Sequence, residues 1–211
     1  MKILQYSIER SGSTLITQVL RKLFPHANVH KIHTFHKNIG CPVVTTYRDF
    51  RDVMVSRWRV REDIPFAELD NGRIMTPDEL DMYLDITVRG IETFNRMCKE
   101  HGDNLMALKY EVFIDDYDYI FRELERFFNI SLDEKLKQDI KQYSNVEANA
   151  KRAKVFSSFH NGNWDKETLI HGLHIYKGGR PGIWKKLVPA NKHECVNSCL
   201  SDYLWQWGYK T

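Results

Sequence analysis

The first 23 residues run from an apolar segment through a polar loop into a helical pattern, and this order limits the fold more than any other feature. Lys2 to Ile8 is typical of a short buried strand. Small and polar residues follow from Glu9 to Thr14, and apolar residues then recur at spacings of three and four from Leu15 to Leu23. That spacing predicts one face of a helix. A strand that leads into a helix through a short loop is the building unit of parallel α/β folds.

The same alternation continues along the chain. Three further segments rich in β-branched or apolar residues are predicted strands: Val29–Thr34, Pro42–Tyr47 and Leu105–Tyr110. Helical patterns separate or follow them, at Val53–Val60, Pro77–Lys99, Ile120–Phe128 and Leu132–Tyr143. The sequence therefore predicts an α/β protein with a central parallel sheet between helical layers, folded as one domain over residues 1–211.

The late segment from Val155 to Pro189 has little periodicity and is rich in glycine, histidine and basic residues. Four apolar residues lie within it and would anchor it to the core: Trp164, Ile170, Ile175 and Trp184. A long segment with such anchors is typical of an ordered functional loop rather than of a linker.

Charge and cysteine content exclude some classes of protein. A net charge of +3, with both signs mixed along the chain, gives no argument for nucleic-acid binding. Cys195 and Cys199 are four residues apart and have no second pair, so two buried thiols are expected rather than a metal site or a disulfide framework. No apolar run is long enough to span a membrane and the first residues do not form a signal peptide, which favours a cytoplasmic protein.

The loop between the first strand and its helix, Glu9–Thr14, has the composition of an anion site. Backbone N–H groups and the helix dipole favour an anion at such a helix start. The residues that would contribute are Arg10, Ser11, Gly12, Ser13 and Thr14. A Walker A motif and its lysine are absent, which disfavours an ATP or GTP enzyme. The alternative is a helix start that Ser or Thr merely caps.

A second polar cluster follows the strand that ends at Tyr47. Arg48 lies at the predicted carboxyl end of that strand and Ser56 on the helix after it, so the two could hold one phosphate together. The alternative is a solvated network of ion pairs at the start of the helix. Its members would be Arg48, Asp49, Arg51 and Asp52.

These two clusters resemble motifs of the sulfotransferases that use 3′-phosphoadenosine-5′-phosphosulfate (PAPS). Glu9–Thr14 is similar to their P-[KR]-S-G-[ST]-T loop, although Glu9 stands where the family has proline. Arg48–Ser56 is similar to R-[DN]-P-R-D-x-x-x-S. Lys109–Glu111 resembles a strand end that reaches the cofactor, and Lys177–Lys185 resembles a late R-K-G-x-x-G-x-W-K loop. The motifs occur in the family's order and cover most of the chain.

The resemblance implies a P-loop-like fold and a two-phosphate site. The first loop would hold the 5′-phosphosulfate, and Arg48 and Ser56 the 3′-phosphate. The other implied cofactor contacts are Tyr110, Lys177, Gly178, Gly179 and Arg180. PAPS would be the cofactor, released as 3′-phosphoadenosine-5′-phosphate (PAP), and no metal is implied.

The catalytic residues follow from the same resemblance. Arg10 stands where the family has a cation against the leaving phosphate, and Lys31-Ile32-His33 is similar to its Lys-x-His strand end. His33 is therefore the expected base and Lys31 its companion, because a histidine accepts a proton near neutral pH. The alternative is that His33 is only a packed or hydrogen-bonded histidine and that Glu9 is the base. Strand alternation puts His30 on the opposite face and leaves His36 past the strand end.

The acceptor would be a small molecule, a glycan or a peptide with a hydroxyl or amine group. The segments Ile64–Asn71 and Val155–His174 would shape its site, and His171 or His174 could contact it directly. Aromatic side chains could stack on adenine or line that site, although packing in the core is their default role. They are Trp58, Phe159, Trp164 and Trp184, the last of which would anchor the late loop. Two other functions stay open, a divergent P-loop kinase and a nucleotide-binding module without catalysis.

Overall fold

The structure is a computed structural model that describes residues 1–35, 37, 40–158, 160 and 164–211. His36 and Phe159 therefore lie outside the described residues. A parallel sheet forms the centre, in the order β2-β1-β3-β4. Its strands are β1 (Lys2–Ser7), β2 (Asn28–Ile32), β3 (Val43–Tyr47) and β4 (Leu105–Lys109). This confirms the predicted parallel α/β architecture.

Alternation along β1 builds the layers on both faces of the sheet. Leu4 and Tyr6 face one hydrophobic cluster, and Ile3 faces the other. The first cluster packs four helices on its side: α2 (Phe50–Arg61), α4 (Pro77–His101), α9 (Trp184–Leu187) and α10 (His193–Gln206). The second packs four others: α1 (Ser13–Leu23), α5 (Tyr110–Phe113), α6 (Tyr117–Phe128) and α7 (Glu134–Ser144). The sheet is therefore the middle layer of three.

The remaining elements are short. They are α3 (Phe66–Asp70), α8 (Val146–Ala153), the antiparallel pair β5 (Trp164–Asp165) and β6 (Ile170–His171), and 3₁₀ turns at Gly102–Asn104, Lys177–Gly179 and Ala190–Lys192. Within the described part of the chain, no helix has both the length and the apolar character needed to cross a bilayer.

Helix boundaries follow the local capping chemistry. The side chain of Asp49 accepts a hydrogen bond from the Arg51 N–H at 3.0 Å, so α2 begins at Phe50, ahead of the predicted Val53. Thr76 forms a capping box with Glu79, and α4 begins at Pro77 as predicted. The helix α10 was not predicted, because its buried residues recur only every fourth position among polar ones.

Some predicted burial is wrong. Trp164 is 45% exposed, so it does not anchor the late segment, whereas Ile170 and Trp184 are buried as expected. Cys195 and Cys199 are exposed rather than buried, because both lie on the outer side of α10. Burial depends on what packs against an element, which the sequence spacing alone does not contain.

The loop before α1 is fixed to the sheet by Ser11. The Ser11 side chain is fully buried, and its Oγ lies 2.7 Å from the Ile8 carbonyl and 2.9 Å from Oγ1 of Thr46 on β3. Gly12 follows with φ 89°, where a Cβ atom would lie 2.6 Å from the Phe113 ring. A small residue is therefore needed at the helix start.

Replacing Ser11 should loosen this loop. We expect Ser11→Ala to lower the free energy of unfolding by about 1–3 kcal/mol, because it removes a buried hydroxyl that hydrogen-bonds with the Ile8 carbonyl and the Thr46 hydroxyl. Urea unfolding measures the change. The exposed Ser131 is the control, and Ser131→Ala should stay within about 0.5 kcal/mol of the parent. Equal losses in both variants would contradict the role of Ser11.

Candidate functional site

A cavity of about 690 Å³ opens where the carboxyl ends of the parallel strands meet the helices. Ligands of open α/β sheets bind at this edge. Its wall takes residues from the loop before α1, the end of β2, the helix α2, Tyr110 and the late segment. The predicted site residues in the wall are Arg10, Gly12, Ser13, Thr14, Lys31, His33, Arg48, Ser56, Tyr110, Gly178, Gly179 and Arg180.

Two predicted site residues lie elsewhere. The hydroxyl of Ser11 points into the sheet, where its partners are Ile8 and Thr46, so it supports the loop from below. The Lys177 ammonium forms an ion pair with Asp70 at 2.7 Å outside the cavity wall. Both residues lie next to the cavity, but neither side chain points into it.

The cavity wall is strongly cationic. It carries the guanidinium groups of Arg10, Arg21, Arg48, Arg57, Arg59, Arg61 and Arg180 and the ammonium of Lys31. Among the described residues of the wall, Glu9 supplies the sole carboxylate. Converging cations in a partly enclosed cavity favour an anionic ligand.

Arg10 joins the first loop to the second cluster. Its Nε donates to Oγ of Ser56 at 3.2 Å, and a terminal nitrogen donates to the His174 carbonyl at 2.9 Å. Burial, and next the charge of Arg48, lower the pKa of Arg10 to about 10, so it stays charged at neutral pH. The sequence pairs Ser56 with Arg48, so this direct contact between Arg10 and Ser56 was not predicted.

Arg48 lies in a cradle of backbone and ring atoms. Its side chain is 6% exposed, and its NH2 group donates to the carbonyls of Gly179 at 3.3 Å and Arg180 at 3.2 Å. The guanidinium also stacks on Tyr110, 4.3 Å from the ring centre, and the Tyr110 hydroxyl donates to the Gly179 carbonyl at 2.7 Å. Nε of Arg48 is buried and has no hydrogen-bond partner within the described residues. A buried cationic donor without a partner favours an anionic ligand at this point.

Asp52 ties the late loop to α2. It is fully buried, accepts the N–H of Gly182 at 2.6 Å and of Trp184 at 3.0 Å, and lies 3.4 Å from Arg48. The ion pairs of the alternative network are present, Arg48 with Asp52 and Arg51 with Asp49, but these side chains are largely shielded from solvent rather than solvated. Trp184 is buried and anchors the late loop as expected, with its N–H on Asp52 and its ring under Arg51 at 4.7 Å.

His33 is held in one orientation at the end of β2. Its Nδ1 lies 2.8 Å from the Ser7 carbonyl, which can only accept, so Nδ1 carries the proton and Nε2 keeps a lone pair. Burial, then the charge of Lys31, lower the pKa of His33 to about 4. The ring is therefore neutral at pH 7 and can accept a proton at Nε2.

Lys31 lies beside the first loop. Its ammonium donates to Oγ1 of Thr14 at 2.7 Å. Burial, followed by the charge of Arg10, lowers the pKa of Lys31 to about 7. A lysine that titrates near neutrality inside a cavity is typical of a functional site.

Other candidate residues take different positions. Glu9 forms ion pairs with Arg57 at 3.0 Å and Arg61 at 3.6 Å. Burial by itself would raise the pKa of Glu9, but the charges of Arg57 and His33 outweigh burial, so the pKa is lowered. A carboxylate so paired is a weak base. His30 also lines the cavity, although strand alternation predicts its side chain on the face opposite that of His33.

One of the two segments expected to shape an acceptor site contributes to the cavity wall. His171 and His174 line the cavity with other residues of the late segment, but no residue of the described stretch 64–71 does. Two features of the site were not predicted from the sequence: the link from Asp52 to the late loop, and the arginines at positions 57, 59 and 61. The alternating R-x-R-x-R run was the available signal. No cluster of three or more metal-ligating side chains occurs among residues whose placement is described.

Removing the Asp52 carboxylate should weaken the whole site. We expect Asp52→Ala to lower the free energy of unfolding by about 3–5 kcal/mol, because it leaves Arg48 as a buried charge without its partner. Urea unfolding is the measurement. The exposed Asp85 offers a control, and Asp85→Ala should change stability by less than about 0.5 kcal/mol. A loss below 1 kcal/mol for Asp52→Ala would contradict this role.

Lys31 should make stability depend on pH. Its pKa of about 7 in the folded protein lies below the ordinary 10.5, so the unfolded chain binds more protons between these values. The free energy of unfolding should therefore rise as the pH increases from 7 to 10.5, and this gain in stability should disappear as the pH falls back to 7.

The comparison of Lys31→Met with the parent at each pH isolates this effect. The parent should gain stability relative to the variant as pH rises, whereas the exposed Lys151→Met should show a constant difference. Urea unfolding at half-unit steps gives both curves. Parallel curves for the parent and Lys31→Met would show that Lys31 does not titrate in this range.

Solved structures share this fold. The mouse sulfotransferase SULT7A1 complexed with PAP matches with a TM-score of 0.65 at 12% identity, over 96% of this chain and 83% of that one. Retinol dehydratase matches with a TM-score of 0.59 in complex with androsterone and the inactive cofactor PAP, at 14% identity over 96% of this chain and 80% of that one. The structure of retinol dehydratase in a complex with retinol and PAP matches with a TM-score of 0.59 at 15% identity, over 96% of this chain and 81% of that one.

No curated protein sequence matches the chain significantly. Residues 10–169, however, match the family described as "Sulfotransferase domain". This range holds the first loop, the end of β2, the second cluster and Tyr110. The protein with this cationic cavity at the carboxyl edge of a parallel sheet belongs to the sulfotransferase domain family.

Proposed function

We propose that this protein transfers a sulfuryl group from PAPS to a hydroxyl or amine acceptor and releases PAP. The observation that carries the proposal is Arg48, a buried guanidinium with an unpartnered Nε, in one cavity with the loop before α1. When bound, the donor supplies a sulfuryl group whose S–O bond to phosphate breaks, with the electron pair leaving on the phosphate as the new bond to the acceptor forms.

The described residues fit such a donor at two anion sites. The first is the loop at the N-terminus of α1, where Gly12, Ser13 and Thr14 line the cavity beside Arg10. The second is Arg48 with Ser56, whose hydroxyl lies 3.2 Å from Nε of Arg10. Arg10 thus lies between the two anion sites and can respond to both charges.

Glycine at position 179 brings the late loop close to Tyr110 and Arg48. A Cβ atom on Gly179 would clash with the Tyr110 hydroxyl, which donates instead to the Gly179 carbonyl. The late loop therefore closes over the Arg48 site through backbone atoms. We propose that Tyr110, Gly178, Gly179 and Arg180 bound the cofactor here, with Lys177 supporting the loop from outside.

His33 is the proposed base. Its Nδ1–H is bound to Ser7, so Nε2 is the atom that accepts the proton of the acceptor. Its low pKa keeps it neutral and ready at physiological pH. Nearby anionic charge on the ligand raises the pKa of a histidine, which strengthens it as a base when the site is filled.

Arg10 and Lys31 are the proposed cations for the leaving phosphate. Both lie at the first loop, Arg10 within it and Lys31 on the hydroxyl of Thr14. Preorganised charges in a cavity stabilise negative charge that develops in the transition state. An anionic ligand favours the protonated form of Lys31, so donor binding sets its charge for this task.

Two other functions are weaker on this geometry. A P-loop kinase uses a lysine to bind the terminal phosphates, and this loop has Arg10-Ser11-Gly12-Ser13 without that lysine. A binding module without catalysis has no need for a neutral, oriented His33 beside a lysine that titrates near pH 7.

Calorimetric binding and turnover together test the proposal. PAP should bind more tightly than ATP with magnesium, and Arg48→Met should raise the Kd of PAP about tenfold or more by removing charge-assisted hydrogen bonds. Arg89→Met is the matched control, because Arg89 lies on α4 away from the cavity. Preference for ATP would refute the proposal.

His33→Gln tests the catalytic half. PAP formation from PAPS in a pooled acceptor library should fall about 10²–10⁴-fold, while the Kd of PAP changes little. Unchanged turnover would remove His33 as base, and absent turnover in the parent would favour the binding module.

A further inference from the structure

Three arginines follow Ser56 on α2, and all of them line the cavity. The Arg57 side chain is 9% exposed, whereas that of Arg61 is 56% exposed. Arg59 lies between them in the sequence and is buried. We call these three residues the arginine row; they occupy every second position, so Arg57 and Arg61 share one side of α2 and Arg59 lies on another.

Arg59 is the exceptional member of this row. One terminal nitrogen donates to the Leu173 carbonyl, and the guanidinium lies 5.2 Å from the Phe66 ring centre and 5.9 Å from that of Tyr176. Within the described part of the chain no carboxylate pairs with it. Burial, followed by the charge of Arg10, lowers its pKa to about 9, so it remains charged at neutral pH. A buried charge without a counter-ion is costly and is retained where a ligand supplies the opposite charge.

The other two arginines of the row add positive charge and do not provide a counter-ion for Arg59. Arg57 and Arg61 share Glu9, at 3.0 and 3.6 Å. Three guanidinium groups on this wall thus face one carboxylate among the described residues. This excess of positive charge belongs to arginines other than Arg10 and Arg48, which are already assigned to the donor's two anion sites.

The surroundings of this row suit an acceptor. His160 lies at the exposed end, with Nε2 3.1 Å from the Arg61 carbonyl. Val60, Ile170 and Ile175 add apolar surface to the cavity wall. A ligand here would therefore meet apolar contacts for its carbon skeleton and positive charge for a polar group.

We infer that the acceptor carries an anionic oxygen group, a carboxylate or a phosphate ester, which pairs with Arg59 while Arg57 and Arg61 attract it into the cavity. This inference rests on the proposed sulfuryl transfer, because it assigns the donor to the Arg10 and Arg48 end. It names the charge class of the acceptor and makes Arg59 a specificity-determining residue. The pairing replaces the missing counter-ion of Arg59 with one from the ligand.

Paired ligands that differ in charge test the inference on the full chain saturated with PAP. In the carboxylate arm, calorimetry compares 4-hydroxyphenylacetate with 4-hydroxyphenylacetamide. In the phosphate arm it compares glucose 6-phosphate with glucose. At least one anion should bind about tenfold or more tightly than its neutral partner. Failure of both anions to bind more tightly would overturn the inference while PAP binding still supports the donor site.

Variants assign the preference to Arg59. Arg59→Met should reduce the preference for the anion to below about threefold, Arg59→Lys should retain part of it, and Arg89→Met should leave it intact. Thermal unfolding followed by circular dichroism establishes that each variant is folded. An unchanged preference in folded Arg59→Met would overturn the inference. A raised Kd for PAP with an unchanged anion preference would assign Arg59 to the donor instead and would also overturn it.

Discussion

A buried carboxylate, Asp52, joins the late loop to Arg48 and to the helix that carries Ser56. It receives the N–H groups of Gly182 and Trp184 from the late loop and lies beside Arg48 from β3's end. Because Asp52 is on the first turn of α2, it fixes the late loop to the same helix that carries Ser56. Residues about 130 positions apart thus share one rigid support. The same loop brings the carbonyls of Gly179 and Arg180 to Arg48, so the cradle around Arg48 is built on this link.

The site holds more positive charge than the surrounding residues neutralise. Burial lowers the pKa of Arg10, Lys31 and Arg59, which shows that the fold alone does not favour their charges. Such groups are expected to reduce the stability of the protein without a ligand and to strengthen the binding of anions. His33 follows the same physics with a different result, because burial keeps it neutral and the Ser7 carbonyl orients it. One electrostatic environment therefore sets the charge states of both the proposed cations and the proposed base.

The helix α2 carries residues of the site along most of its length. Its first turn carries Asp52, its middle carries Ser56, and its last turns carry the arginine row. The proposed donor and acceptor therefore meet the same rigid element at different turns, which holds their separation constant. The late segment closes the opposite side through backbone carbonyls: that of His174 accepts from Arg10, and that of Leu173 from Arg59. Changes in this segment could alter acceptor choice without disturbing the sheet.

The sequence by itself determined the parallel α/β architecture, because strand and helix periods are local properties, and it determined the family through short motifs in order along the chain. It also indicated most residues of the cavity wall, since the carboxyl ends of parallel strands meet at one edge. Only the tertiary structure decided that Ser11 faces the sheet, that Lys177 pairs with Asp70 and that Cys195 and Cys199 are exposed. It alone decided that Arg59 is buried and that no carboxylate of the described residues pairs with it. Burial and charge pairing arise between residues distant in the chain, and no local pattern contains them.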